Sequence, residues 1–374
     1  MTTCALTAPK FYVYVVSLGY QLLCAIPCAI VAALVSHGAR EAGLSKLCFP
    51  LCLVLFAAPY IIIDATSSSS WLPDLTADEY QVVRFTFGSL FFICAFRMLE
   101  LGTGNPPGKA ASSRANWVEY LTSSDARRDA DGKPLLLEPG MLRARVVSGL
   151  THFVLLGTTL SLLMLSPSLT PLRDALNGAG ISQRPLLLAA KAADDISAVV
   201  VIWLFLEFIY DVDGLMLELK GVQQVPAFRN PIGGATNIGD LWSRRWNLQV
   251  QAMLKRACYL PVAKAGLPRA AAAAAAFAGS AILHELQFSV AFRDKYQLGR
   301  ASQFFVLQAV LVVAYNSLRG VLPKSVAAWS PRLKNVVTIL CLCPTAHLFA
   351  DIWRETGMFA SIASLALTYR CASY

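Results

Sequence analysis

A histidine and a carboxylate stand side by side within an apolar run, Ala281-Ile282-Leu283-His284-Glu285-Leu286-Gln287-Phe288. At membrane depth an ionisable group costs on the order of 2.5 kcal/mol or more, and it faces a cavity or a partner rather than lipid. His284 is therefore the first residue to examine for chemistry. A neutral imidazole, with an ordinary pKa of about 6.5, can take a proton from a reacting hydroxyl or pass one along a relay. Zinc is disfavoured, because an H-E-x-x-H site would need a second histidine where Phe288 stands. His37 follows the first apolar run and His152 opens another, so both can reach an interface. His347, in a short late run, is the competitor. Asp194 and Asp195 read as the N-terminal cap of a helix starting at Ile196, with intramembrane carboxylates as the alternative.

The second constellation is Asp240-Leu241-Trp242-Ser243-Arg244-Arg245-Trp246-Asn247, which opens the segment Asp240–Arg256. Wound as a helix, the segment places Trp242, Trp246, Val250, Met253 and Leu254 on one stripe. Arg244, Gln251 and Lys255 fall opposite, and Asn247 sits at the border. Asp240 is a plausible N-cap after Asn237 and Gly239. Such a helix belongs at a membrane face with its tryptophans at headgroup level. A plain membrane anchor would explain the stripe, but not the crowding of two tryptophans, two arginines and an asparagine.

The elements that must carry these residues are apolar and long. The chain has 374 residues, of which 56% are hydrophobic and only 15% charged, and its mean hydropathy is +0.54. An average soluble domain is roughly 45–50% apolar and about 25% charged. A bilayer core needs about 20 apolar residues per helix. Suitable runs are Phe11–Val35, Leu47–Ile63, Val82–Leu99, Val146–Leu165, Ile196–Tyr210 with part of Leu186–Ala193, Ala270–Phe292 and Phe304–Leu322. Val336–Ala350 and Met358–Leu367 are weaker. None shows strand alternation. The expected fold is an all-α, polytopic transmembrane protein of about seven to nine spans with one amphipathic interfacial helix. A disordered chain, a disulfide scaffold and an ordinary cytosolic enzyme are excluded together. The ten cysteines fall mostly inside apolar runs and form no C-x-x-C, so they read as small hydrophobes.

Two polar stretches interrupt the runs. Residues 100–145 hold seven basic and six acidic residues around Asn105-Pro106-Pro107-Gly108 and read as a solvated loop or small insert without chemistry. Residues 226–269 hold seven basic residues and one acid, six of the chain's nine net positive charges. Positive loops face the cytoplasm and anionic headgroups, which accounts for the charge without nucleic acid. This divides the chain into N-terminal helices (1–225), a core with both constellations (226–322) and C-terminal helices (323–374).

At these residues the sequence resembles the wax synthase branch of the membrane-bound O-acyltransferases. That family reads close to D-F-W-G-R-R-W-N or -H, then a basic helix ending near Y-x-P-V; here Leu241 and Ser243 are mild departures, and Tyr259, Pro261 and Val262 follow. Its second pattern, S-G-x-x-H-E, is matched by Gly279-Ser280-Ala281-Ile282-Leu283-His284-Glu285 with the small pair inverted and shifted. The strong similarity covers about 228–288. The resemblance implies that His284 and Asn247 are the catalytic pair, with His284 as base toward an alcohol and Asn247 donating to a thioester carbonyl or orienting the hydroxyl. It implies acyl-CoA as co-substrate, no bound cofactor or metal, and a long-chain alcohol or other hydroxylated lipophilic acceptor. Arg244, Arg245, Lys255 and Arg256, with Trp242 and Trp246, would form the CoA side of the site. It also implies a multi-pass membrane location, the endoplasmic reticulum in a eukaryotic cell. The alternatives are acetyl transfer to a terpenoid or sterol-like hydroxyl, diacylglycerol acylation, a transporter using His284 as a proton relay, and a structural membrane adaptor. The transporter would predict internal repeats, and the block at 240–247 occurs once.

Overall fold

The computed structural model describes residues 2–67, 75–123, 126–129, 133–165, 183–321, 325 and 328–373; Leu322, where one expected span ends, lies outside them. The apolar runs become helices: α1 Phe11–Glu41, α2 Cys48–Ser67, α3 Ala77–Gly102, α4 Arg114–Thr122, α5 Met141–Leu165 and α6 Gln183–Glu218. After these come α7 Ile238–Arg244, α8 at 248–264, α9 Arg269–Phe292, α10 Arg300–Leu318, α11 Pro331–Glu355 and α12 Met358–Ala363. Six of them, α1, α2, α3, α5, α10 and α11, are long and apolar enough to cross a membrane. α6 and α9 are long enough as well, at 36 and 24 residues, but carry Asp194, Asp195, Glu207 and Asp211 in one and His284 and Glu285 in the other. Met358–Leu367 is not a span. Its helix, α12, has 6 residues, roughly 9 Å at 1.5 Å per residue; Gly357 opens it at φ 79° and a strand follows.

α3 is the central helix, with 67% of its apolar stretch buried against 22–28% for the other five. Its start is fixed by a capping box: Thr76 N–H donates to Glu79 and Thr76 Oγ1 accepts from the Glu79 N–H. α9 packs between α3 and α10, α2 lies along α3, and α5 pairs with α6. α11 closes the bundle against α10 and α6, and Trp353 at its end meets Phe85 of α3, Phe205 of α6 and Phe288 of α9.

Three features add to the sequence reading. The all-α class holds with one short ribbon among the described residues: β1 Thr2–Thr7 and β2 Thr368–Ser373 pair antiparallel. Of the two readings of the polar stretch at 100–145, the small insert is the one seen, because α4 buries Trp117, whose indole donates to Ser36 at 2.9 Å. Asp194 and Asp195 cap nothing, since α6 begins at Gln183; both instead pair with Arg354 of α11 at 2.8 Å.

Candidate active site

The segment Asp240–Arg256 is two helices with a break, not one amphipathic rod. Asn237, rather than Asp240, caps α7 by accepting from the Asp240 N–H at 2.8 Å. Asp240 turns inward, where its carboxylate accepts from Arg245 Nε at 2.7 Å and from Thr236 N–H at 3.1 Å. Burial opposes ionisation of this group, but the Arg245 guanidinium and the Thr236 donors outweigh it and hold the carboxyl below its ordinary range. Arg245 also donates to the Arg229 carbonyl at 3.2 Å. The chain then reverses at Asn247, whose left-handed backbone (φ 39°, ψ 66°) is a conformation asparagine tolerates better than most residues. Asn247 Oδ1 caps α8 by accepting from the Val250 N–H at 3.4 Å, and it also accepts from the Tyr210 hydroxyl of α6 at 3.0 Å.

The break re-aims the tryptophans. Trp242 is half-buried: it sits among Phe277, Phe304 and Phe305, edge-on to Trp246, and its indole donates to Gln308 at 3.3 Å. α8 packs onto α9 where Gly279 removes a side chain. A Cβ there would meet Cys258 Sγ at 2.7 Å and Leu254 at 3.1 Å. Gly279 thus has specific neighbours on α8.

One turn beyond, His284 is enclosed by aromatic rings, with Phe305 at 4.4 Å, Phe349 at 5.5 Å and Phe288 at 5.7 Å between centroids. Its Nδ1 lies 2.8 Å from the Ser280 carbonyl. A carbonyl can only accept, so Nδ1 carries the proton and Nε2 keeps its lone pair. Glu285 is not a partner of the histidine. Its two oxygens accept from the Gly299 and Ser302 N–H groups and from the Tyr296 hydroxyl, capping α10 from outside.

His284 and Asn247 line one cavity of about 1370 Å³, larger than the roughly 300–1,000 Å³ of a drug-sized site. Trp242, Trp246, Arg244 and Lys255 line it too, so six of the eight residues singled out in the sequence share it. Arg245 and Arg256 do not. Arg245 is held by Asp240, and Arg256 by buried Glu100 at 3.1 Å and by the Tyr120 hydroxyl at 2.8 Å. Arg97, Lys220 and Arg269 also line the cavity, beside Arg244 and Lys255. The competitor histidines are elsewhere: His152 pairs with Asp211 between α5 and α6 at 2.6 Å, and neither His37 nor His347 borders the cavity. Sequence reasoning missed Tyr210, Gln308, Phe305 and Phe349. Each is a single residue in an apolar helix with no motif around it.

Residues 225–307 match the profile of the Membrane bound O-acyl transferase family. Among curated proteins of Arabidopsis thaliana, the chain is 36% identical over 141 residues to one described as probable long-chain-alcohol O-fatty-acyltransferase 2, covering 35% of this chain and 38% of that one. It is 30% identical over 143 residues to probable long-chain-alcohol O-fatty-acyltransferase 3, covering 36% and 41%. To probable long-chain-alcohol O-fatty-acyltransferase 8 it is 29% identical over 169 residues, covering 42% and 49%. The chain thus spans less than half the length of each of these relatives. The matched segment contains α7, the break at Asn247, α8, α9 and the start of α10, which carry both site residues on one cavity wall. Over residues 225–307 this chain is thus similar to the Membrane bound O-acyl transferase family.

Proposed function

We propose that the protein transfers an acyl group from acyl-CoA to the hydroxyl of a lipophilic alcohol, making a wax-type ester within the membrane. One observation carries the reading: an imidazole with its Nδ1 proton fixed on a backbone carbonyl and its Nε2 without a partner among the described residues lines the same cavity as Asn247. His284 Nε2 takes the proton of the acceptor hydroxyl as its oxygen attacks the thioester carbon. Asn247 has its Oδ1 engaged by Val250 and Tyr210, so its Nδ2 hydrogens are the donors for the developing oxyanion. When the tetrahedral centre collapses, the C–S bond breaks and the proton on His284 goes to the departing thiolate. No covalent acyl-enzyme is needed. The aromatic wall of Phe288, Phe305 and Phe349 keeps water from competing with the alcohol.

Arg244, Lys255 and Arg269 are the cations for the phosphates of CoA. The relatives, described as long-chain-alcohol O-fatty-acyltransferases, favour a long-chain alcohol as acceptor, and the cavity volume is compatible with two chains. Membranes holding the protein, supplied with labelled acyl-CoA and a panel of fatty alcohols, diacylglycerol and sterol-like alcohols, should yield labelled ester. Ester is expected from fatty alcohols and should disappear in His284→Ala. Ester formation undiminished in His284→Ala, or none with any acceptor in the wild type, overturns the reading.

A further inference from the structure

We propose that Tyr210 is a positioning residue for the acyl transfer, fixing by one hydrogen bond which end of the Asn247 carboxamide meets the acyl carbonyl; this rests on the function proposed above. Tyr210 lies on α6, outside the segment 225–307 that matches the family, and 37 residues before Asn247. A carboxamide can turn by half a rotation about its last torsion with little intrinsic cost, exchanging oxygen for nitrogen. In one orientation it donates two N–H hydrogens to a developing oxyanion; in the other it presents an oxygen and repels it.

The α8 cap alone holds this choice weakly, because the Val250 N–H reaches Asn247 Oδ1 at 3.4 Å, near the outer limit of a hydrogen bond. The Tyr210 hydroxyl adds a donor to the same oxygen at 3.0 Å. With both lone pairs of Oδ1 accepting, the Nδ2 hydrogens are what the side chain has left to give.

The hydroxyl is itself placed by several contacts. The Tyr210 ring is edge-on to Phe228 at 6.2 Å, and Phe228 is edge-on to Trp246 at 5.3 Å. The Tyr210 carbonyl accepts from Gln224 Nε2 at 3.2 Å. Residues beside Phe228 clamp the break from both sides, with the Leu248 N–H donating to the Ala227 carbonyl at 2.6 Å and the Arg229 N–H to the Arg245 carbonyl at 3.0 Å. α6 therefore registers the break that presents Asn247, and the tyrosine hydroxyl is the polar end of that contact.

The test uses the full chain, with rates referred to the monodisperse fraction after detergent extraction. Tyr210→Phe removes one oxygen and should lower kcat roughly tenfold, the worth of about one hydrogen bond, with KM for acyl-CoA and the melting temperature unchanged. Asn247→Asp keeps the cap oxygens but lacks the amide hydrogens; in that background Tyr210→Phe should cost nothing further. A wild-type rate in Tyr210→Phe, or the same fractional loss in both backgrounds, overturns the proposal. If Asn247→Asp has no measurable turnover, the single variant decides: a fall in kcat at constant KM and melting temperature supports the role, and a joint fall of kcat and melting temperature overturns it. Absence of acyl transfer in the wild type would instead overturn the enzymatic reading itself.

Discussion

At the scale of single residues, the proposed chemistry rests on two side chains whose roles predict different losses. Removing a general base costs roughly 10²–10⁴-fold in rate, so His284→Ala should lose ester formation by that factor while remaining folded. Removing one carbonyl donor costs about 10²–10³-fold, the expectation for Asn247→Ala in the same assay. His347→Ala, away from the cavity, should keep activity; an inactive His347→Ala beside an active His284→Ala would misassign the base. The basic residues separate in the same way. Phosphate binding is shared by ground and transition states, so Arg244→Ala and Lys255→Ala should raise KM for acyl-CoA more than they lower kcat. Arg245→Ala and Arg256→Ala should reduce folded protein, because they leave Asp240 and the fully buried Glu100 without their cations. Titrating acyl-CoA against each variant, alongside its monodisperse yield, distinguishes the two outcomes. A run of charges in a sequence does not say which of them meets a carboxylate of its own chain, so Arg245 and Arg256 read as ligand-binding until Glu100 and Asp240 appear beside them.

The helices themselves were the most legible part, because length and apolarity are set by bilayer thickness and little else. Their interruptions were not. Periodicity across Asp240–Arg256 is consistent with one amphipathic helix, yet the chain breaks at Asn247, where the side chain gains a cap bond and a tyrosine partner that no local pattern encodes. Glu285 shows the converse: adjacent to the histidine in sequence, it turns away to cap α10, because Gly299 opens that helix with unpaired N–H groups. The contact between α8 and α9 gives the prediction at this scale. Gly279→Leu would drive a branched side chain into Cys258 and Leu254. Overpacking of this kind costs about 1–3 kcal/mol or more, and it would displace α8 from α9, and with it Asn247 from His284. The expected outcome is a sharp drop in monodisperse protein and in activity per folded molecule, with Gly279→Ala in between. Unchanged yield and turnover in Gly279→Leu would mean that the two helices do not meet there in the membrane.

Over the whole molecule, the cavity belongs to more of the chain than the motif-bearing segment. Its walls include Tyr14 of α1, Phe85 of α3, Phe205 of α6 and Trp353 of α11, all outside 225–307, so closing it depends on how the first and last helices meet. The β1–β2 ribbon joins the ends, and a polar device on α11 does the rest. Arg354 reaches Asp195, which is 3% exposed, and Asp194 on α6 at 2.8 Å each, while Lys191 approaches Asp195 at 3.4 Å. Read as a local helix cap, the Asp194-Asp195 pair gives no hint of this, because its partner is 159 residues away. Breaking a buried ion pair from one side is more damaging than removing both charges, since the survivor is left desolvated without its partner. Arg354→Met should therefore destabilise the detergent-purified protein by about 3–5 kcal/mol, whereas Arg354→Met combined with Asp195→Asn should recover a substantial part of that loss. Melting temperatures of the two variants and of Asp195→Asn alone complete the cycle. If the double variant melts no higher than Arg354→Met, the pair does not hold α11 to α6, and the cavity's far wall is kept in place by other contacts of α11, among them the aromatic ones of Phe349 and Trp353.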